Sequence, residues 1–272
     1  MISIRKVSLE VTRAMRLGSI VVAFRCWRAI CLHQHRERIG TMTARHLVAL
    51  AAIALSACVS VPNQPYNKAA NVHVKKIGVV TVPNPAEYQV GMLHHPGEGF
   101  GLIGGLIAAG DASSKTKTFS GQEVVHRVEL GKEMTAALTE AFDGSPFQVV
   151  LVDAGAGPRT EFVKDYPGAE CDAFLDVAIA QVGYRAQYAS TPYLPLLFAP
   201  VRLVDARSKT VLYTTEVFMT DGPIPKGGIQ LVPDTTYAFN DFDALKRDPD
   251  KAVMGLKDAT RRIAKQIASD LK

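Results

Sequence analysis

Beyond residue 58 the chain has one cysteine, Cys171. No disulfide can form within that part, so its stability has to come from packing. Catalytic signatures are missing too. There is no G-x-S-x-G elbow, no H-E-x-x-H pair, no C-x-x-C and no G-x-x-x-x-G-K-[ST] phosphate loop. No stretch after residue 58 reaches the ~18 apolar residues of a spanning helix. Surplus positive charge also vanishes on closer reading. The whole chain is formally +5, but nine of its 31 Lys and Arg and only two of its 26 Asp and Glu precede Cys58. The remainder has 22 bases against 24 acids, a net −2. The basic patch that phosphate backbones require is therefore not expected, and neither is a nucleic-acid partner. These absences point away from a disulfide scaffold, a nucleic-acid binder and an enzyme.

The most informative feature present is Leu55-Ser56-Ala57-Cys58. It closes the apolar run Leu47–Leu55, which follows Arg45 and His46. A basic stretch, an apolar stretch and small residues at a cleavage point make a secretory signal. With cysteine next, the pattern resembles a bacterial lipobox. The resemblance implies diacylglycerol on the Cys58 sulfur, cleavage between Ala57 and Cys58, and acylation of the new N-terminus, palmitate being the type of chain. Val59 rather than Asp follows the cysteine, which by the same resemblance favours the outer membrane over the inner one.

Signal peptides run to about 15–30 residues. Met42 to Ala57 gives 16, whereas Met1 to Ala57 gives 57. Residues 42–57 are thus read as the signal, and 1–41 as an upstream extension beyond the true start or as an Arg-rich leader. Cys26, Cys31, His33 and His35 lie in that extension with a loose metal-like spacing, but without the paired short knuckles of a zinc site.

Residues 58–71, polar with Pro62 and Pro65, read as a tether, and 72–272 as one domain. Strands are predicted at 72–82, 147–152, 173–184, 196–204 and 210–218 from β-branched content and alternation. Asp205-Ala-Arg-Ser-Lys209 has turn chemistry between the last two. Helical period appears at 124–142 and most clearly at 250–272, where Val253, Leu256, Thr260, Ile263, Ile267 and Leu271 form one stripe. Residues 83–98 and 221–250 read as loops. This order predicts an α/β fold: one mixed sheet with helices packed on it and a long C-terminal amphipathic helix. The helix pattern L-x-x-x-M-x-x-x-L before a strand and the hairpin V-R-L-V-D-A-x-x-x-x-V-L-Y resemble the periplasmic domain shared by TolB N-terminal regions, CsgG and LpoB.

Candidate sites follow. Gly97, Gly101 and Gly105 have the G-x-x-x-G-x-x-x-G spacing of a glycine zipper, which permits close helix approach. They mark 97–110 as an insertion that meets membrane or another subunit; a Gly-rich loop or a short helix on the domain's own core is the alternative. Gly99, Gly101 and Gly104 also match G-x-G-x-x-G, but the preceding strand ends near Val82, too early for a dinucleotide site. Tyr188 and Tyr193, among prolines, form a candidate partner patch. His94 and His95 lack a third metal ligand beside them. Asp234, Asp241, Asp243, Asp248 and Asp250 do not follow a calcium-loop pattern, and Asp248 or Asp250 is placed to cap the last helix. No metal or cofactor is expected. The sequence predicts a non-enzymatic outer-membrane lipoprotein facing the periplasm, held in the bilayer through Cys58, and binding an envelope protein or its own copies. The alternative is a periplasmic ligand-binding protein or hydrolase using His94, His95 and the Asp-rich loop.

Overall fold

A computed structural model describes residues 63–155 and 159–272. Ala57, Cys58, the signal segment and the cysteine–histidine cluster of the extension lie outside the described residues. The fold is α/β, with one mixed sheet and a long C-terminal helix, as the sequence predicts.

The sheet has eight strands: β1 (Lys76–Val80), β2 (Gln89–Met92), β3 (Gln148–Val152), β4 (Ala173–Val177), β5 (Gln181–Ala186), β6 (Leu194–Asp205), β7 (Val211–Met219) and β8 (Ile229–Leu231). The 12-residue β6 is its spine. Along one side of β6 run β4 and then β5, both antiparallel to it; along the other runs β7. Outside β4 lie β1 and β3, and outside β5 lies β2, all parallel to their neighbours.

The single strand predicted over 173–184 is two. The cause stands on β6. Ala178 and Ala180 donate to the carbonyls of Pro200 and Phe198, so this side of Pro200 faces the β4–β5 line. Pro200 has no N–H to return. Three residues, 178 to 180, therefore oppose Ala199 and Pro200, and the ladder resumes one step out of phase. The slip moves Val182 and Tyr184 into the core beside Leu175 and Val177, and leaves Gln181 half-buried.

Helices α1 (Gly101–Ser120), α2 (Glu123–His126), α3 (Leu130–Ala141), α4 (Phe242–Arg247) and α5 (Pro249–Leu271) complete the chain. The helix predicted over 124–142 is split into α2 and α3. Every residue of the predicted α5 stripe is buried. Each of Leu256, Ile263, Ile267 and Leu271 contributes about 1.5–3 kcal/mol by leaving water. Asp248 accepts from the Lys251 amide at 3.1 Å, and Pro249 opens the helix. α5 lies over β6 and against α3, which makes one helical face.

The opposite face is covered in part by the segment after residue 158. There Asp176, fully buried, accepts from Arg159 at 2.7 Å, the Val163 amide at 2.8 Å and the Tyr166 hydroxyl at 3.0 Å. Arg202 stands 3.6 Å from the same carboxylate. Burial, then the Asp176 charge, pushes the Tyr166 hydroxyl well above its ordinary pKa. Breaking such a pair costs about 3–5 kcal/mol, because a buried charge is stranded. The network pins segment 159–166 to the sheet. Tyr166 stacks on Phe174 at 4.7 Å beside the half-buried Cys171, whose thiol pKa burial raises.

Two expectations change here. The tether does not extend to Asn71. Gln64 exchanges backbone hydrogen bonds with Thr214 at 2.8 and 3.0 Å, and the Asn63 amide reaches the Gly227 carbonyl at 2.6 Å. The chain is thus docked from its first described residue. Residues 221–250 are not one long loop: they hold β8, a 3-10 turn at Thr235–Tyr237 and α4.

Candidate functional site

The Gly-rich run is neither a loop nor a short packed helix. Pro96–Phe100 forms a 3-10 turn, and α1 then runs unbroken for 20 residues through the polar 113–120. Pro96 presets the turn, and His95 Nδ1 accepts from the Gly97 amide at 3.0 Å. Gly101 takes φ 64, the left-handed conformation that redirects the chain into the helix. Gly104 packs directly on the turn: a Cβ there would sit 1.6 Å from the Gly97 carbonyl oxygen. Gly97 consequently stands outside the helix. The zipper expected from Gly97, Gly101 and Gly105 loses its first member, and helical spacing continues the line through Ala108 and Ala112 instead.

The two halves of α1 have different surroundings. Its second half lies along the outer edge of β2. Val90 donates to Thr116 Oγ1 and Tyr88 to Ser120 Oγ, both at 2.9 Å. These hydroxyls stand in for the missing neighbouring strand and cover an edge open to pairing. Phe119 enters the core edge-on to Tyr184, with ring centroids 5.9 Å apart. The first half projects beyond the sheet. Phe100, Leu102, Ile103, Leu106 and Ile107 are 58–84% exposed, and no charge occurs between Glu98 and Asp111. Gly101 and Gly105 have no atom near enough to touch a Cβ.

The base of this projection gathers several sequence candidates. Asp111 accepts from Lys115 Nζ at 2.6 Å and lies 3.7 Å from His95 Nε2. Lys115 also donates to the Tyr193 hydroxyl at 3.2 Å. Burial pulls the Lys115 pKa down, but the bonds with Asp111 and Tyr193 outweigh it and raise the value. His94 stacks on Tyr188 at 5.0 Å. Of the expected partner patch, Tyr188 is half exposed, while Tyr193 is buried and exchanges backbone hydrogen bonds with Phe239. Tyr193 holds the base of α1 and is not a surface contact. Its role was hidden because its partners Lys115 and Phe239 are distant in sequence.

The late aspartates have local work. Asp234 caps the 3-10 turn, Asp241 caps α4 and Asp248 caps α5, while Asp243 pairs with Lys246 at 2.8 Å. Among the described residues, no group of three or more His, Cys, Asp or Glu is arranged to hold a metal ion. The histidine side chains with hydrogen bonds, His73 and His95, meet Asp205 and the Gly97 amide, not a hydroxyl or thiol. A cleft of about 420 Å³ beside β2 is lined by Gln89, Lys117, Gln181 and Arg185. Its two glutamines bond to each other at 2.7 Å, and Arg185 reaches Thr220 at 2.5 Å. No described helix is long and apolar enough to cross a membrane.

The sequence matches no protein-family model and no curated protein sequence. Solved structures give distant likenesses. A Xanthomonas campestris protein of the DUF330 family model is 9% identical over 71% of this chain and 81% of its own, with a TM-score of 0.35. A PelC dodecamer from Paraburkholderia phytofirmans is 11% identical over 78% and 96%, with a TM-score of 0.32. A hypothetical protein of Chlamydia trachomatis is 13% identical over 71% and 97%, with a TM-score of 0.36. Scores this low bear neither on the fold nor on the assembly of the present chain.

Proposed function

We propose that this chain is a non-enzymatic lipoprotein of the bacterial envelope, anchored through acylated Cys58 at the periplasmic face of the outer membrane and working as a contact or assembly component. The anchor rests on the lipobox resemblance at Leu55–Cys58. The contact role rests on one observation, the projecting half of α1. A folded domain ordinarily turns such side chains inward, and uncovered apolar patches mark sites of interaction. Here four large ones, with Phe100 on the turn before them, crown a stretch of helix that is otherwise Gly and Ala for about three turns.

The anchor also fixes a length. Five steps separate Cys58 from Asn63, where the chain is already bonded to the domain, so the leash reaches at most ~17 Å. A domain held that near the bilayer meets its partners at the membrane surface. Intact mass of the membrane-extracted chain tests the reading. A species starting at Cys58 with acyl mass, lost in Cys58→Ala, is the expected result. A chain retaining residues before Cys58 and carrying no acyl mass removes the anchor from the proposal.

A further inference from the structure

From the size and make-up of the α1 projection we infer that its occupant is a second copy of this chain, docked helix against helix on Leu102, Ile103, Leu106 and Ile107. The inference deepens the assembly reading and rests on it for the membrane setting. Three features select a copy over a lipid surface or an unrelated protein.

The first is area. At roughly 150–200 Å² for a large apolar residue, these four and Phe100, 58–84% exposed, present on the order of 600 Å². Patches on ordinary monomers stop at about 300–600 Å², and one side of a standard protein interface covers about 800 Å². The patch is thus at the top of the monomer range and approaches the area that a stable protein contact covers.

The second is charge. Helices that lie in a bilayer surface carry Lys and Arg on the face turned to the headgroups. From Pro96 to Ser114 this chain has none; its charges are Glu98 and Asp111. Anionic headgroups would be repelled at both ends of the projection.

The third is direction. By helical period Gly101, Gly105 and Ala108 share the side of Ala112, Thr116 and Phe119 that meets the domain, whereas Leu102, Ile103, Leu106 and Ile107 share the side turned away from it. One outward apolar face can meet the same face of a second copy about a two-fold axis, its ridges set into the other's grooves. Tethering adds to this. Copies confined to one membrane by short leashes meet at a high effective concentration, so a patch of modest intrinsic affinity is enough.

The test uses the full chain in its own membranes, with a photo-crosslinking residue in place of Leu106 and, as a control, in place of Arg207 in the β6–β7 turn at the other end of β6. The expected product is a band of twice the mass containing only this chain, at least tenfold stronger for the 106 probe. Capture of lipid, capture of a different protein, or no capture overturns the inference. A second arm compares the detergent-extracted size of the Ile103→Glu, Leu106→Glu double variant with wild type. A drop to monomer with an unchanged circular dichroism spectrum supports the contact, and an unchanged oligomer refutes it. The mass at Cys58 is read from the same samples. Acylation without 106 cross-linking leaves the envelope reading standing alone; cross-linking without acylation does the reverse.

Discussion

The two halves of α1 share one helix and little else. Residues 111–120 place Thr116, Phe119 and Ser120 against the sheet and pair Asp111 with Lys115. Residues 101–110 include four glycines and keep their leucines and isoleucines in water. Each helical glycine costs about 1 kcal/mol relative to alanine. Gly104 is compensated by its contact with the 3-10 turn, but at Gly105 and Gly110 a Cβ would meet no other part of the described structure within 4 Å. The docked half is thus explained by the fold that contains it, and the projecting half is not.

The contrast can be broken most severely at Phe119. It is fully buried against Tyr184, so Phe119→Ala should lower the free energy of unfolding by about 3–5 kcal/mol in a denaturant titration. Leu106→Ala, by contrast, should change monomer stability by no more than about 0.5 kcal/mol while weakening self-association. Equal losses from the two would erase the distinction. Next is Thr116→Val, which keeps the shape and strands the Val90 amide; the expected cost is about 1–3 kcal/mol, with faster hydrogen exchange at Tyr88 and Val90. Gly105→Ala sharpens the comparison through its sign. In an uncovered helix it should add up to about 1 kcal/mol of monomer stability. Because the methyl falls on the side away from the proposed contact, cross-linking through position 106 should not change. A loss of cross-linking would place the contact on the glycine line instead. The smallest effect is expected from Ala112→Ser, which sets a hydroxyl one helical turn beyond Thr116, beside Gly91. If the match with the edge ends after two rungs, the hydroxyl gains no strand partner, and the unfolding free energy should not rise and should change by no more than about 0.5 kcal/mol.

These regions were not equally legible in sequence. The α5 stripe and the β6–β7 hairpin could be read because each is local. In the hairpin, Asp205 Oδ1 accepts from the Arg207 and Ser208 amides at 2.9 and 2.7 Å, and Lys209 takes φ 61. The break after Val177 was not readable from its own residues, since its cause is Pro200 on another strand. Strand β2 was missed because Gln-Val-Gly-Met has no alternation; hydroxyls from α1 and pairing to β5 make it a strand. α1 as one 20-residue helix was hidden by its composition, a glycine run followed by a polar run without a shared apolar stripe. For the site, the glycine spacing pointed to the segment that projects, but Gly97 is not on the helical line, because the 3-10 turn takes it out of the helix. The link from Lys115 to Tyr193, 78 residues apart, left no local signal.

The way α1 guards β2 works like a vernier. Hydroxyls four residues apart on a helix recur every ~6.0 Å, while outward amides two residues apart on a strand recur every ~6.7 Å. Both rungs, Tyr88 with Ser120 and Val90 with Thr116, close at 2.9 Å, and beyond them the scales drift by a further ~0.7 Å with each rung. At the third rung the helix offers Ala112, whose methyl lies 3.7 Å from where a Gly91 Cβ would stand. A helix can therefore imitate a strand for about two rungs, after which the match with the edge is lost. The point where α1 leaves the sheet is set by this mismatch of periods, and everything beyond it is free to meet a different surface.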